Sequence, residues 1–134
     1  MYNAEKYIGA CLDSILDSDL PQNGYEIVII NDGSNDKSSQ IAQGYASEYP
    51  NITYLSQENQ GQSTARNYGI RSCHGEYVWC VDADDKLISN QLLKVISALE
   101  ENRDLDILAI QLQNVTEDGS YPLIIAFIPD IILL

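Results

Sequence analysis

The chain has 134 residues, the size of one ordinary domain, able to bury roughly two-thirds of its unfolded surface. Its 20 acidic and 7 basic side chains give a formal charge of -13. No Lys/Arg cluster is present to neutralise a phosphate backbone, which excludes nucleic acid as a partner and means that an anionic substrate needs a cation or helix N-termini to offset the field.

In chain order, Tyr7, Ile8, Cys11, Leu12, Ile15 and Leu16 recur at helical spacing behind Asn3, a good N-cap residue. They predict a helix from about Ala4 to Ser18, ended by Pro21, Asn23 and Gly24. Tyr25 to Ile30 is β-branched and apolar and predicts a strand, with Asn31-Asp32-Gly33-Ser34 as the turn at its carboxyl end. Ile41, Ala42, Tyr45 and Tyr49 mark a second helix, broken by Pro50-Asn51, and Ile52 to Leu55 a short strand. The polar loop Gln57 to Gln62 leads into a helix from about Ser63 to Cys73, which Gly75 stops.

Tyr77-Val78-Trp79-Cys80-Val81 then runs apolar into Asp82-Ala83-Asp84-Asp85, and reads as a central parallel strand with three acids at its carboxyl end. In open α/β sheets that edge is where ligands bind. Carboxylates so crowded repel one another unless a cation compensates, and hard oxygen ligands suit Mg2+ or Mn2+ bridging to a diphosphate. The bland alternative is an acidic helix-entry loop. A helix with Leu92, Leu93, Ile96 and Leu99 follows, for which Ser89 is the expected N-cap. Asp106 to Leu112 predicts another strand, and Asp118-Gly119 a turn into a return strand from about Tyr121. Alternating strands and helices imply βαβ units, and the fold class is α/β with a mostly parallel sheet.

Cys11, Cys73 and Cys80 lack CxxC spacing and read as reduced thiols at apolar positions. No signal peptide is visible, and the apolar stretch Leu123 to Leu134 is too short to span a bilayer. The first helix has no strand before it, so the sheet reads as one strand short and the single domain, residues 1–134, as incomplete. An unpaired sheet edge together with that apolar tail leads to the expectation of self-association.

Tyr2-Asn3-Ala4-Glu5, Asn31-Asp32-Gly33-Ser34, the stretch Gln57 to Gly69 with its Ala65-Arg66-Asn67, and Asp82-Ala83-Asp84-Asp85 stand in an order and spacing that closely resemble the family 2 glycosyltransferases of the GT-A fold. The resemblance covers the chain up to about Leu112, and four motifs together are far more specific than a lone DxD. It implies a Rossmann-like, metal-dependent enzyme that transfers sugar from a nucleotide-diphosphate sugar to an acceptor hydroxyl, in bacterial polysaccharide or cell-envelope glycan synthesis. A divalent cation, Mg or Mn, would be the cofactor. A saccharide or lipid-linked acceptor would be the other partner, and the location cytoplasmic, at most peripheral to the inner face of the membrane.

The resemblance also implies residue roles. Asp32 would hydrogen-bond the nucleotide base, Asp82 lie near the ribose or a metal water, and Asp84 bind the metal. Asp82 is the second metal candidate and Asp85 a weaker one. Arg66 would be the cation beside the nucleotide, Gly61 would let the loop backbone approach the ligand, and Tyr2 could line the nucleoside side of the cleft. The general base belongs to a later acceptor-binding region in this family, and no residue here matches it.

Structural alternatives stay open. Asp32 could make an Asx turn, Arg66 a surface ion pair, Asp36 the start of the second helix, Asn67 and Tyr68 packing, and His74 a helix-dipole partner. A phosphatase of the haloacid dehalogenase type would need Thr or Val where Lys86 stands. An EF-hand fails because Lys86, Leu87 and Leu93 occupy ligand and turn positions. The remaining alternative is a non-catalytic nucleotide- or metal-binding module.

Overall fold

The computed structural model describes residues 1–88 and 92–103. Within them the order is α1 (Ile8–Leu16), a 3-10 turn at Gln22–Gly24, β1 (Ile27–Asp32), α2 (Ser38–Glu48), β2 (Ile52–Gln57), α3 (Gln62–Ser72) and α4 (Leu92–Glu101). β1 and β2 pair in parallel from Ile27 opposite Ile52 to Asp32 opposite Gln57, with α2 as the crossover that a parallel pair requires.

β1 is covered on both faces, which is why its sequence is apolar without alternation. Ile29 joins Ala4, Ile8, Leu12, Ala42 and Ile52 in the buried cluster shared with α1 and α2. Its neighbour Ile30, also buried, points the other way, as successive strand residues must. There it meets α3, where a Cβ on Gly69 would lie 3.3 Å from Ile30 Cγ1, so the missing side chain lets helix and strand approach.

Several expectations shift. α1 begins at Ile8 rather than Ala4, because the Ala4 carbonyl accepts both the Tyr7 and Ile8 N–H groups, each at 2.9 Å, in a tight turn. Asn3 is not its N-cap. Asn3 adopts φ 48°, and its Oδ1 instead accepts the Asn35 N–H at 2.9 Å. β1 extends through Asp32, which moves the start of the expected turn to Gly33.

The largest correction concerns 77–82, which form no strand. Tyr77, Val78 and Trp79 are 42%, 40% and 38% exposed. A strand needs a ladder, and β1 has β2 on one edge and Met1 at the carboxyl end of the other. There the Met1 amino group donates to the Ile30 carbonyl at 2.6 Å, and the Met1 carbonyl accepts the Asp32 N–H at 2.9 Å. Among the described residues the apolar run is neither paired in the sheet nor buried at its first three positions. The strand expected at Asp106–Leu112, the turn and return strand after it, the tail from Leu123 and the Ser89 cap lie outside the described residues. Among the described residues no helix is long and apolar enough to cross a membrane.

Candidate functional site

The site is assembled where β1 ends. Asp32 is its last residue and only 4% exposed, so its carboxylate must find internal donors. It finds three: Oδ1 accepts Gln57 Nε2 at 2.7 Å and the Gln60 N–H at 2.9 Å, while Oδ2 accepts the Gly61 N–H at 2.9 Å. Burial alone would raise its pKa, but these donors outweigh it and hold the carboxyl below its ordinary value. The Asx alternative falls to its neighbour, since Asn31 Oδ1 takes the Ser34 N–H at 3.1 Å.

Two glycines shape the approach. Gly33 has φ +73°, and a Cβ there would sit 2.8 Å from the Asn59 backbone nitrogen, so the loop lies directly on the turn. Gly61 has φ +88° with nothing within 4 Å of the Cβ position. Its requirement is conformational, and the space beside it is open.

Gly61 is also the N-cap residue of α3, and this joins the two acidic motifs. Gln62 and Arg66, one helical turn apart on the same face, both reach Asp82 Oδ1. Arg66 Nη2 lies at 2.8 Å and Gln62 Nε2 at 3.2 Å. The Arg66 and Asp82 side chains are 30% and 46% exposed, so the ion pair is half in solvent. Arg66 thus takes the paired-acid alternative, and the acid it pairs with is the first of the DxD motif.

The Asp82-Ala83-Asp84-Asp85 segment is a turn closed by the Asp85 N–H on the Asp82 carbonyl at 3.0 Å. It is seated on α1, where Cys11 Sγ approaches the Asp82 carbonyl at 3.6 Å and Ser14 Oγ accepts the Leu87 N–H at 3.0 Å. Asp84 and Asp85 are exposed. Burial first, then the Asp84 and Asp82 carboxylates, push the Asp85 carboxyl up. Burial and the same three acids raise the Cys11 thiol to about 11, which leaves it unreactive.

Among the described residues no three ligating side chains converge on a point. The donor set nevertheless fits a hard divalent cation held by one or two carboxylates and completed by phosphate oxygens, and the like-charge crowding felt by Asp85 is what such a cation relieves.

The third motif, carrying Tyr2, is zipped to the loop after β1. The Asn3 N–H donates to Ser34 Oγ at 3.0 Å, the Ala4 N–H to Ser38 Oγ at 2.7 Å and the Glu5 N–H to Asp36 Oδ2 at 3.0 Å. In return Glu5 Oε2 accepts the Lys37 N–H at 3.0 Å. Tyr2 itself is 50% exposed. Asp36 also accepts the Ser38 N–H at 2.9 Å, at the first residue of α2.

Of the remaining expectations, Asn67 is exposed rather than packed and Tyr68 half-buried. The His74 ring lies 3.3 Å from Glu26 Oε2, and Glu26 Oε1 accepts the Gly75 N–H at 3.0 Å, so His74 belongs to a loop anchored on Glu26. Sequence reasoning gave no role to Gln57 and Gln62. The i, i+4 spacing of Gln62 to Arg66 was the available signal for one of them. Cys11, Cys73 and Cys80 are all free.

A family model, Glycosyl transferase family 2, matches residues 1–131. The minor teichoic acid biosynthesis protein GgaB of Bacillus subtilis (strain 168) is 35% identical over 112 residues, 82% of this chain and 12% of that protein. The crystal structure of S. aureus TarS 1-349 in complex with UDP matches with a TM-score of 0.71 at 30% identity, covering 77% of this chain and 31% of that one. The mannosyltransferase PcManGT from Pyrobaculum calidifontis, in complex with GDP-Man and Mn2+, matches with a TM-score of 0.64 at 28% identity, covering 69% and 28%. The chain thus spans less than a third of the length of these relatives, and it shares with them the α/β fold of GT-A type expected from its sequence.

Proposed function

Because the chain belongs to glycosyl transferase family 2, we propose that it forms the donor-binding part of an enzyme that transfers a sugar from a nucleoside-diphosphate sugar to an acceptor hydroxyl in cell-envelope glycan synthesis. The observation that carries this reading is the continuous link from Asp32 through Gly61 to Gln62, Arg66 and Asp82. It puts a buried acceptor, a guanidinium and the acidic turn along one edge of the fold. The teichoic-acid connection of GgaB supports the envelope setting, and the nucleotide ligands of the TarS and mannosyltransferase structures support the donor class.

In this reading Asp32 offers the base an acceptor site. Three of the roughly four lone-pair positions on a carboxylate are used internally, so Oδ2 retains capacity for one ring N–H. Arg66 lies beside the diphosphate, where its planar donors suit phosphate oxygens. Asp84 and Asp82 would hold the divalent cation, which when bound neutralises negative charge on the departing diphosphate. The acceptor oxygen forms the new bond to the anomeric carbon as the bond to the diphosphate breaks. The acceptor proton needs a general base, and no described residue is assigned to that step. The acceptor is a saccharide or lipid-linked glycan, and the working location is the cytoplasm or the inner face of the membrane.

Isothermal titration of the chain with UDP and with GDP, in Mn2+ or Mg2+ and then in excess chelator, tests this. Heat that appears only with the metal supports the assignment, and equal binding in chelator overturns the metal role. Binding with no turnover of any UDP-sugar would leave a nucleotide-binding module.

A further inference from the structure

Arg66 and Asp82 satisfy one another in the ligand-free chain. Arg66 Nη2 and Gln62 Nε2 both donate to Asp82 Oδ1, and among the described residues Oδ2 takes no hydrogen bond. The guanidinium is thus already the counter-charge of the first acid of the turn, the only acid there with a basic partner among the described residues. From this pair, and resting on the donor-site reading above, we propose that Arg66 is a positioning residue that couples metal and diphosphate binding by exchanging partners.

A cation arriving alone meets an acid whose charge is already offset, and it brings positive charge up to a guanidinium. A diphosphate arriving alone can recruit Arg66 only by stripping Asp82 of its partner beside Asp84 and Asp85. Arriving together, each ligand takes what the other releases: Arg66 turns to phosphate and Asp82 to the cation. Gln62 stays on Asp82 Oδ1 during the exchange and keeps that side chain oriented, so the carboxylate presents Oδ2. The ion pair is half in solvent, which makes breaking it inexpensive and the exchange reversible. By linkage, the factor by which UDP tightens the metal is the factor by which the metal tightens UDP.

The test is Mn2+ binding to the full chain, read from the electron paramagnetic resonance signal of the free ion, with and without UDP, in wild type, Arg66→Gln and Arg66→Lys. Circular dichroism serves as the fold control. In Arg66→Gln, Mn2+ alone should bind up to ~fivefold more tightly, the upper end for a half-exposed ion pair, and its enhancement by UDP should shrink by a similar factor. Arg66→Lys, which keeps the charge, should restore most of the wild-type behaviour, a response that a merely structural role would not give. Mn2+ affinity in Arg66→Gln equal to or weaker than wild type, with UDP and Mn2+ still binding to wild type, overturns the exchange and leaves the donor site standing. Failure of wild type to bind Mn2+ and UDP together overturns both. Should Arg66→Gln lose its fold, the wild type decides alone: Mn2+ affinity unchanged by saturating UDP overturns the coupling.

Discussion

Asp32 and Gly61, 29 positions apart in sequence, meet through a 2.9 Å hydrogen bond from the Gly61 N–H to Asp32 Oδ2, and this contact fixes where α3 begins. Replacing Asp32 with Asn puts an NH2 group among donors and leaves a buried N–H unpaired, which costs about 1–3 kcal/mol. Urea unfolding should show that loss together with weaker UDP binding. A variant as stable as wild type would show that the loop does not depend on this carboxylate.

The same carboxylate sets a pH dependence. Its pKa in the folded chain is lowered, so its contribution is present above the unfolded value of about 3.9 and is lost as pH falls through the folded value. Wild type should therefore exceed Asp32→Asn in stability near neutrality, with the gap closing on the acid side. A gap that widens on acidification would mean the sign is reversed.

At Gly33, with φ +73° and the Asn59 nitrogen 2.8 Å from a built Cβ, alanine is strained by both backbone conformation and contact. Gly33→Ala should destabilise by about 1–3 kcal/mol. Thermal melting checks the stability, and a matching loss of UDP affinity would show that the loop had been pushed off the turn.

Asp84 is exposed, so Asp84→Ala should change stability by no more than about 0.5 kcal/mol. It should nevertheless remove the metal-dependent part of nucleotide binding in calorimetry. Retention of full Mn2+ dependence would move the metal assignment elsewhere.

Much of the fold was legible because local pattern and packing agreed. The apolar run through Ile29 and Ile30 announced a strand covered on both faces, and Ala65 and Gly69 on α3 supply one cover. The Tyr77–Val81 run misled because apolar composition does not say whether a strand edge is free to pair with it, and here its first three residues stay exposed. Asn3 misled because a capping side chain bonds whichever N–H is near, and the zipped loops bring Asn35 closer than the helix. The site residues Asp32, Arg66 and Asp82 were legible as motif positions. Their linkage was not, since the bonds from Gln62 and Arg66 to Asp82 span 20 and 16 residues, and only the folded chain brings them together.

The most direct test of the donor site is a 1H–15N correlation titration of the chain with UDP and Mg2+. The backbone amides of Gln60 and Gly61, the Arg66 side chain and the amides of Asp82 to Asp85 should show the largest shifts, at one common dissociation constant and only with metal present. Shifts absent from these groups, or concentrated around His74 and Glu26, would contradict a nucleotide site at the carboxyl end of β1.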